Sequence, residues 1–316
     1  MRDKRSGILA KSGFIYSDDN KRYHTQNYHL RHTFGEKVTK ISLDAGFTCP
    51  NIDGRCGVGG CIYCLDGSTS APKLDLQSQY DFQREKLSSK WQSNKFIVYL
   101  QAHSNTYAHV DNLKKIYEEV LNFDKVVGLS VATRADCIDD DIADLLEEIS
   151  KRTYLNVELG LQTTFDKTAK LINRGHNYED FLSGYEKLKK RGIMICVHLI
   201  NGLPGETTDM MMENVIKLNA LEPFSIKLHL LHILKGTPLL KLYERGDFRA
   251  FELFDYVKLI CDQLEYIRPE TVIQRLTGDG QKDSLVAPLW SMKKFVVLDE
   301  IDKELEKRKS FQGIRL

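Results

Sequence analysis

The sequence predicts an α/β fold: a partial β/α barrel of about six parallel strands, with a small N-terminal extension and a C-terminal α/β extension. Three observations predict it. Six short apolar segments alternate with helix-period segments through the middle of the chain. Parallel strands joined in this way take right-handed crossovers, which suit either a barrel or a doubly wound sheet. Polar or glycine-rich residues follow most strand segments, at 101–103, 133–134, 162–163, 201–205 and 235–236. A TIM-like barrel puts all of these on one face, whereas a doubly wound sheet concentrates its ligand contacts at one switch point. The spread of loaded strand ends selects the barrel.

Strands are expected at 38–44, 96–101, 126–132, 155–161, 194–200 and 225–231, each short and rich in Val, Ile, Leu or aromatic residues. Between them, Leu113, Ile116, Tyr117, Val120 and Leu121 recur at helical spacing. So do Ile138, Ile142, Leu145, Leu146 and Ile149, behind the acidic residues 139–141. Further helices are expected near 80–91, 178–190 and 210–221. Residues 1–37 form the N-terminal extension, 38–237 the barrel core and 238–316 the C-terminal extension. The last holds helical stretches, a strand-like piece at 271–276 and a charged, exposed helix at 299–309.

The 316 residues carry a net charge of +1, with 42% hydrophobic and 28% charged residues. That composition is ordinary for a globular protein and exerts no global pull toward nucleic acid or an anionic membrane. A cytoplasmic protein with no membrane partner is expected, because neither a signal-peptide core nor a run of about 18 apolar residues appears. Of the seven cysteines, Cys49, Cys56, Cys61 and Cys64 cluster in one loop. Cys137, Cys196 and Cys261 lie in or beside apolar stretches and read as small buried hydrophobes. The odd total and uneven spacing argue against a disulfide framework.

The cysteine loop follows the first strand, and its glycines and Pro50 let the backbone wrap around something small. All four thiols together make a zinc site, C-x6-C-x4-C-x2-C, which the count alone favours. Three make an iron–sulfur cluster with one iron left open. Buried thiols with no metal are a third reading, for which a glycine-rich loop offers no apolar reason. The spacing is irregular for paired zinc knuckles, and the position atop the first barrel strand suits a catalytic centre. Counting leaves both metal readings open.

Cys49-Pro50-Asn51-x-Asp53-Gly54 and Gly59-Gly60-Cys61-x-Tyr63-Cys64 resemble the signature of a known group. It is the radical S-adenosylmethionine (SAM) proteins of the YhcC/YtqA (MnmL-like) family, related to the elongator catalytic subunit and the oxygen-independent coproporphyrinogen oxidases. Similar stretches run nearly the whole chain. They include Lys21-Arg22-Tyr23-His24, Ala132-Thr133-Arg134, Glu158-Leu159-Gly160-Leu161-Gln162-Thr163, Ile172-Asn173-Arg174, His198-Leu199-Ile200-Asn201-Gly202, Leu230-Leu231-His232 and Thr277-Gly278-Asp279-Gly280.

The resemblance implies that Cys49, Cys61 and Cys64 hold a [4Fe–4S] cluster, with Cys56 left out, and that SAM binds the open iron. It places Tyr63 beside the adenine, Gln162 and His198 near the ribose, Arg174 near the methionine carboxylate and Gly202 close to the nucleoside. Gln101, Arg134 and Glu158 belong to the same cofactor-binding set. Departures from the family are Cys56, Ala135 in place of a usual Pro, and residues 101–106, which replace the glycine-glycine-glutamate stretch of many relatives. Plainer readings exist beside these. Glu158 and Gln162 could belong to a satisfied polar layer inside the barrel, Arg174 could cap the preceding helix or pair with Asp180, and His198 could be a core histidine.

The resemblance further implies an enzyme acting on tRNA. It would convert 5-carboxymethylaminomethyl(-2-thio)uridine at wobble position 34 to 5-aminomethyl(-2-thio)uridine. A one-electron reductant such as flavodoxin or ferredoxin and a companion tRNA methyltransferase are the implied partners. Alternatives are another tRNA base, a tetrapyrrole or a small metabolite as substrate, or a non-catalytic zinc-stabilised RNA-binding module. Lys21, Arg22, Tyr23, His24, Tyr28, His29, Arg31 and His32 mix basic and aromatic groups, as RNA stacking and phosphate contact require. A solvated surface explains that run equally. In the tail, acids interleave with the lysines, which favours a solvated surface there.

Overall fold

The structure, a computed structural model, describes residues 12–65, 72–88, 93–278 and 283–316. Trp91, at the end of one expected helix, and Asp279 and Gly280 of the Thr-Gly-Asp-Gly stretch lie outside the described residues. The first half of the chain runs α1 (Gln26–Phe34), β1 (Val38–Leu43), α2 (Leu76–Ser88), β2 (Lys95–Leu100), α3 (Val110–Leu121), β3 (Val126–Thr133), α4 (Asp140–Ser150) and β4 (Tyr154–Gln162). Then come α5 (Asp166–Leu171), α6 (Tyr178–Lys190), β5 (Met194–Asn201), α7 (Thr208–Leu221), β6 (Ser225–Leu230) and β7 (Ile233–Leu234). The chain closes with α8 (Pro238–Glu244), α9 (Leu253–Tyr266), β8 (Val272–Arg275), β9 (Leu285–Ala287) and α10 (Lys294–Lys307).

Seven strands pair in the order β1-β2-β3-β4-β5-β6-β8, every pair parallel, and the sheet curls into a half-barrel. The six expected strands appear within a residue of their expected ends. The seventh, β8, comes from the C-terminal section and extends the sheet beyond β6. Helices cover the outer face, so strand residues such as Ile97, Val98, Leu100, Leu129 and Val131 are buried as an almost continuous apolar run. On α3 the buried stripe is Leu113, Tyr117 and Val120. Asp139 starts α4 by accepting from Ile142 N at 2.9 Å. Asn177 and Asp180 form a capping box on α6, so Asp180 is engaged there rather than with Arg174. Cys137, Cys196 and Cys261 are buried as expected.

Two expectations for the chain ends are corrected. The tail helix is not wholly exposed. Val297, Ile301 and Leu305 of α10 are buried against the core, and the charges occupy its other face. The N-terminal basic and aromatic run is not an exposed stacking platform either. Tyr23 and His24 are buried, Lys21 is paired with Asp302, and Arg31 reaches Asp18 at 2.6 Å. The His24 carbonyl accepts from Ile273 N at 2.7 Å, while His24 N donates to Gln312 Oε1 at 2.8 Å. Next, α1 seals the lower mouth of the half-barrel, where the strands begin. Leu30 packs with Val38 and Ile97, Phe34 meets Tyr154 at 5.5 Å, and His29 meets Phe224 at 5.0 Å. Among the described residues, no helix is long and apolar enough to cross a membrane.

Candidate cluster and cofactor site

The cysteine loop leaves the upper end of β1, opposite the mouth that α1 seals. Its turns are local: Ile52 N donates to the Cys49 carbonyl at 2.8 Å, Gly60 N to the Asn51 carbonyl at 2.8 Å, and Cys64 N to the Cys61 carbonyl at 3.0 Å. Asn51 is fully buried at the centre of this loop. Its Nδ2 donates to the Asn173 carbonyl at 2.5 Å and lies 3.7 Å from Cys61 Sγ. A Cβ on Gly57 or on Gly175 would come within 2.2 or 2.4 Å of Asn51 Oδ1, so two glycines make the slot that holds Asn51. Asn173 laces the loop from the other side, donating to the Gly60 carbonyl at 2.7 Å, and Ile62 N donates to the Ile172 carbonyl at 3.0 Å.

The turn at 172–176 is held in its own right by two arginines. Arg134 forms a forked pair with Asp136 at 2.9 and 2.7 Å and donates to the Arg174 carbonyl at 2.6 Å. Arg174 is 1% exposed. It donates to the Leu161 carbonyl, to the Thr163 carbonyl at 2.6 Å and to the His176 carbonyl at 3.0 Å. Its Nη2 makes no hydrogen bond, and the Asp166 carboxylate stands 3.8 Å away. Burial raises the Cys61 thiol above its ordinary value, opposed by the Tyr63 hydroxyl and the Arg134 charge. Cys56 is exposed on the outer side of the loop, where burial and then Asp136 raise its thiol.

Below the thiols a polar layer crosses the half-barrel. Glu158, on β4, is fully buried. Lys40 of β1 reaches its Oε1 at 2.6 Å, His198 of β5 reaches its Oε2 at 2.9 Å, and Lys227 of β6 also bonds Oε2. Ser130 adds a bond at 3.2 Å. Burial pushes the Glu158 carboxyl up, but Lys227, Lys40 and His198 together outweigh it and hold the group well below the usual carboxylate range. Burial, aided by the Lys227 charge, pushes His198 down to about 4 despite its bond to Glu158. The satisfied-layer reading of Glu158 therefore matches its surroundings.

A cavity of about 400 Å³ joins these parts. Cys49, Cys61 and Cys64 line its mouth together with Tyr63, Gln101, Arg134, Gln162 and Arg174, and Glu158 and His198 lie at its floor. The structure thus brings together every sequence-derived site residue except Gly202. That glycine lines a neighbouring cavity of about 1000 Å³ that contains no cysteine. Its φ of 93° and the Phe251 ring, 3.1 Å from where a Cβ would stand, account for the glycine there. Asn51 and Asn173, which position the loop, sit inside the motifs quoted above. Their fixed separation from the thiols is the sequence signal that could have found them. Lys40, Lys227 and His229 carry only a strand-period signal.

The donor set tests the two metal readings. A structural zinc takes four ligands, so in this loop it would need Cys56 as well as Cys49, Cys61 and Cys64. Cys56 is exposed and lies outside the cavity lining. The three thiols that share the mouth match the donor count of a cluster with one iron left open. Arg174 Nη2, which makes no hydrogen bond and pairs with the Asp166 carboxylate only at 3.8 Å, suits an anionic ligand group.

Fold and thiol set together define an iron–sulfur enzyme that cleaves SAM by one-electron chemistry. Residues 52–218 match the radical SAM superfamily and residues 223–307 the radical SAM C-terminal domain, so the chain belongs to that superfamily, with a [4Fe–4S] cluster and SAM as its cofactors. It is 48% identical over 310 residues to protein YtqA of Bacillus subtilis (strain 168), covering 97% of this chain and 96% of that one. It is 30% identical over 181 residues to a tRNA uridine(34) acetyltransferase of Methanocaldococcus infernus, covering 52% of this chain and 32% of that one. The solved structure of the archaeal Methanocaldococcus infernus Elp3 with an N-terminal deletion shares the fold. Its TM-score is 0.67 at 18% identity, covering 87% of this chain and 64% of that chain.

Proposed function

We propose that this radical SAM enzyme modifies tRNA, converting the 5-carboxymethylaminomethyl group of wobble uridine 34, with or without the 2-thio group, to 5-aminomethyl. The observation that carries the reading is the single cavity that runs from three thiols at the upper mouth to a charged floor inside the half-barrel. The partial likeness to a protein named tRNA uridine(34) acetyltransferase supports a tRNA substrate. In this reading Cys49, Cys61 and Cys64 hold the cluster, and Tyr63, Gln101, Arg134, Gln162, Arg174 and His198 surround SAM. When bound and reduced, the cofactor pair supplies a 5′-deoxyadenosyl radical.

The residues of the chain position and shield. Asn51 and Asn173 hold the thiol loop against the 172–175 turn. Arg174, fixed by three carbonyls, keeps Nη2 for a carboxylate. Neutral His198 is held by Glu158 and lines the cavity. The substrate change is an oxidation by two electrons. The glycine-like methylene loses a hydrogen atom, then one further electron and a proton, leaving an imine. Water adds to the imine, and the C–N bond breaks to give the aminomethyl group and glyoxylate. An oxidised flavodoxin- or ferredoxin-type partner is a suitable acceptor for the second electron, and a companion methyltransferase could act on the product in the cytoplasm.

The test is direct. Anaerobically reconstituted protein is incubated with SAM, a reductant and tRNA bearing carboxymethylaminomethyluridine, and nucleosides are analysed by mass spectrometry. The expected result is aminomethyluridine together with glyoxylate. Cleavage of SAM with unchanged nucleosides would sink this substrate.

A further inference from the structure

The floor of the cavity carries more positive charge than it balances. Lys40 and Lys227 both bond Glu158, so two ammonium groups share one carboxylate inside the half-barrel. Both also stand over the Tyr99 ring, at 4.9 and 4.6 Å. Among the described residues that line the cavity, Glu158 is the one carboxylate. His198 and His229 are held neutral by burial, and the Cys196 thiol is pushed up to about 12 by burial. Burial, with repulsion from Lys40 and Arg275, pushes Lys227 down to about 8 even though Glu158 opposes it. Buried charges in proteins are normally matched, so a surplus cation at the end of an open cavity marks the place of a missing anion.

Lys227 is the group placed to meet it. It lines the cavity, whereas Lys40 is not part of the lining. Its ammonium has three donors. Glu158 takes one and the Tyr99 hydroxyl, at 3.3 Å, takes a second. The third is available to a ligand. Beside it, His229 Nε2 is buried without a hydrogen bond. Resting on the proposed function, we infer that Lys227 and His229 form a carboxylate subsite for the substrate, so that the enzyme selects substrates whose reacting side chain ends in a carboxylate. The other carboxylate that enters the cavity, that of SAM, has its own donor in Arg174 Nη2 near the thiols.

The experiment uses reconstituted holoprotein with SAM and two anticodon stem-loop RNAs. One carries carboxymethylaminomethyluridine and the other its carboxamide, and binding is read by fluorescence anisotropy. The wild type should favour the carboxylate RNA roughly tenfold. Lys227→Met should abolish that preference while leaving SAM affinity and carboxamide binding unchanged. If Lys227→Met fails to fold, His229→Leu, which leaves the Glu158 ion pairs in place, should lower the preference in its stead. A preference retained in the folded variant, no preference in the wild type, or a loss of SAM affinity instead would each overturn the subsite. If neither RNA binds the wild type, the tRNA reading has failed and the subsite is tested by saturation-transfer NMR with acetate against acetamide. An acetate signal lost in Lys227→Met supports the subsite for another carboxylate substrate, and a signal that persists overturns it.

Discussion

Glu158 of β4 and Lys227 of β6 are hydrogen-bonded across the strand that lies between them, over His198 of β5. One carboxylate thereby ties three adjacent strands, and Lys40 extends the tie to β1 at the sheet edge. The same layer closes the cavity from below and separates it from the apolar seal formed by α1.

Removing the carboxylate should be costly. Glu158→Gln leaves the buried Lys227 and half-buried Lys40 ammonium groups without their shared carboxylate, and breaking a buried pair in this way costs about 3–5 kcal/mol. Urea unfolding of the apo-protein would measure it. Adding Lys40→Met to Glu158→Gln should recover part of the loss, because one uncompensated charge goes with it. Equal stability of Glu158→Gln and wild type would contradict this view of the layer.

Acid should destabilise the fold well before the carboxylates of the surface titrate. His198 and His29 are pushed down to about 4, chiefly by burial, and His229 lies well below its ordinary value. Their folded values sit below the unfolded value of about 6.5. The unfolded chain therefore binds protons that the fold refuses, so their contribution is complete above pH 6.5 and shrinks as pH falls toward 4. The depressed Glu158 carboxyl adds a further loss at lower pH, as the medium falls through its folded value. Thermal melts between pH 7.5 and 4.5 should show a falling midpoint, with a shallower fall in His29→Phe. A flat profile would exclude the neutral buried histidines.

Cys56 should be dispensable and the other three loop thiols should not. Cys56 is exposed and lies outside the cavity lining, while Cys49, Cys61 and Cys64 share one mouth. Cys56→Ser should retain iron, sulfide and absorbance near 400 nm after anaerobic reconstitution. Ser at any of the other three should lose them along with SAM cleavage. Loss of the cluster in Cys56→Ser would assign four thiols to the metal.

The N-terminal run should matter for stability rather than for RNA. Tyr23 and His24 are buried at the lower mouth, away from the thiols. Tyr23→Ala should cost about 3 kcal/mol, as for other truncated core aromatics. Exchanging the more exposed Arg22 and His32 for Ala should leave tRNA binding unchanged in a gel-shift assay. A large loss of binding in that pair would restore the RNA role.

Strand positions are legible in the sequence because parallel strands buried on both faces read as apolar runs, and their polar ends mark the upper mouth. The thiol set is legible only through the motif around it, since four cysteines in a loop suit either metal until Asn51, Asn173 and the glycines are seen to fold three of them toward one cavity and leave Cys56 outside. Long-range pairing hides the rest. Nothing near Lys40 or Lys227 in sequence announces Glu158, which lies 118 residues from one and 69 from the other. The N-terminal run misleads for a related reason: Tyr, His, Lys and Arg serve a packed latch as readily as an RNA surface, and the latch depends on Ile273, Asp302 and Gln312 at the far end of the chain.

The most direct measurement is the nucleoside profile of bulk tRNA from a strain lacking this protein, compared with its parent. Carboxymethylaminomethyluridine, with or without the 2-thio group, should accumulate while aminomethyluridine and its methylated product disappear, and both should return with wild-type protein but not with Cys61→Ser. An unchanged profile would contradict the tRNA reading and leave the cluster and SAM site in search of another carboxylate-bearing substrate.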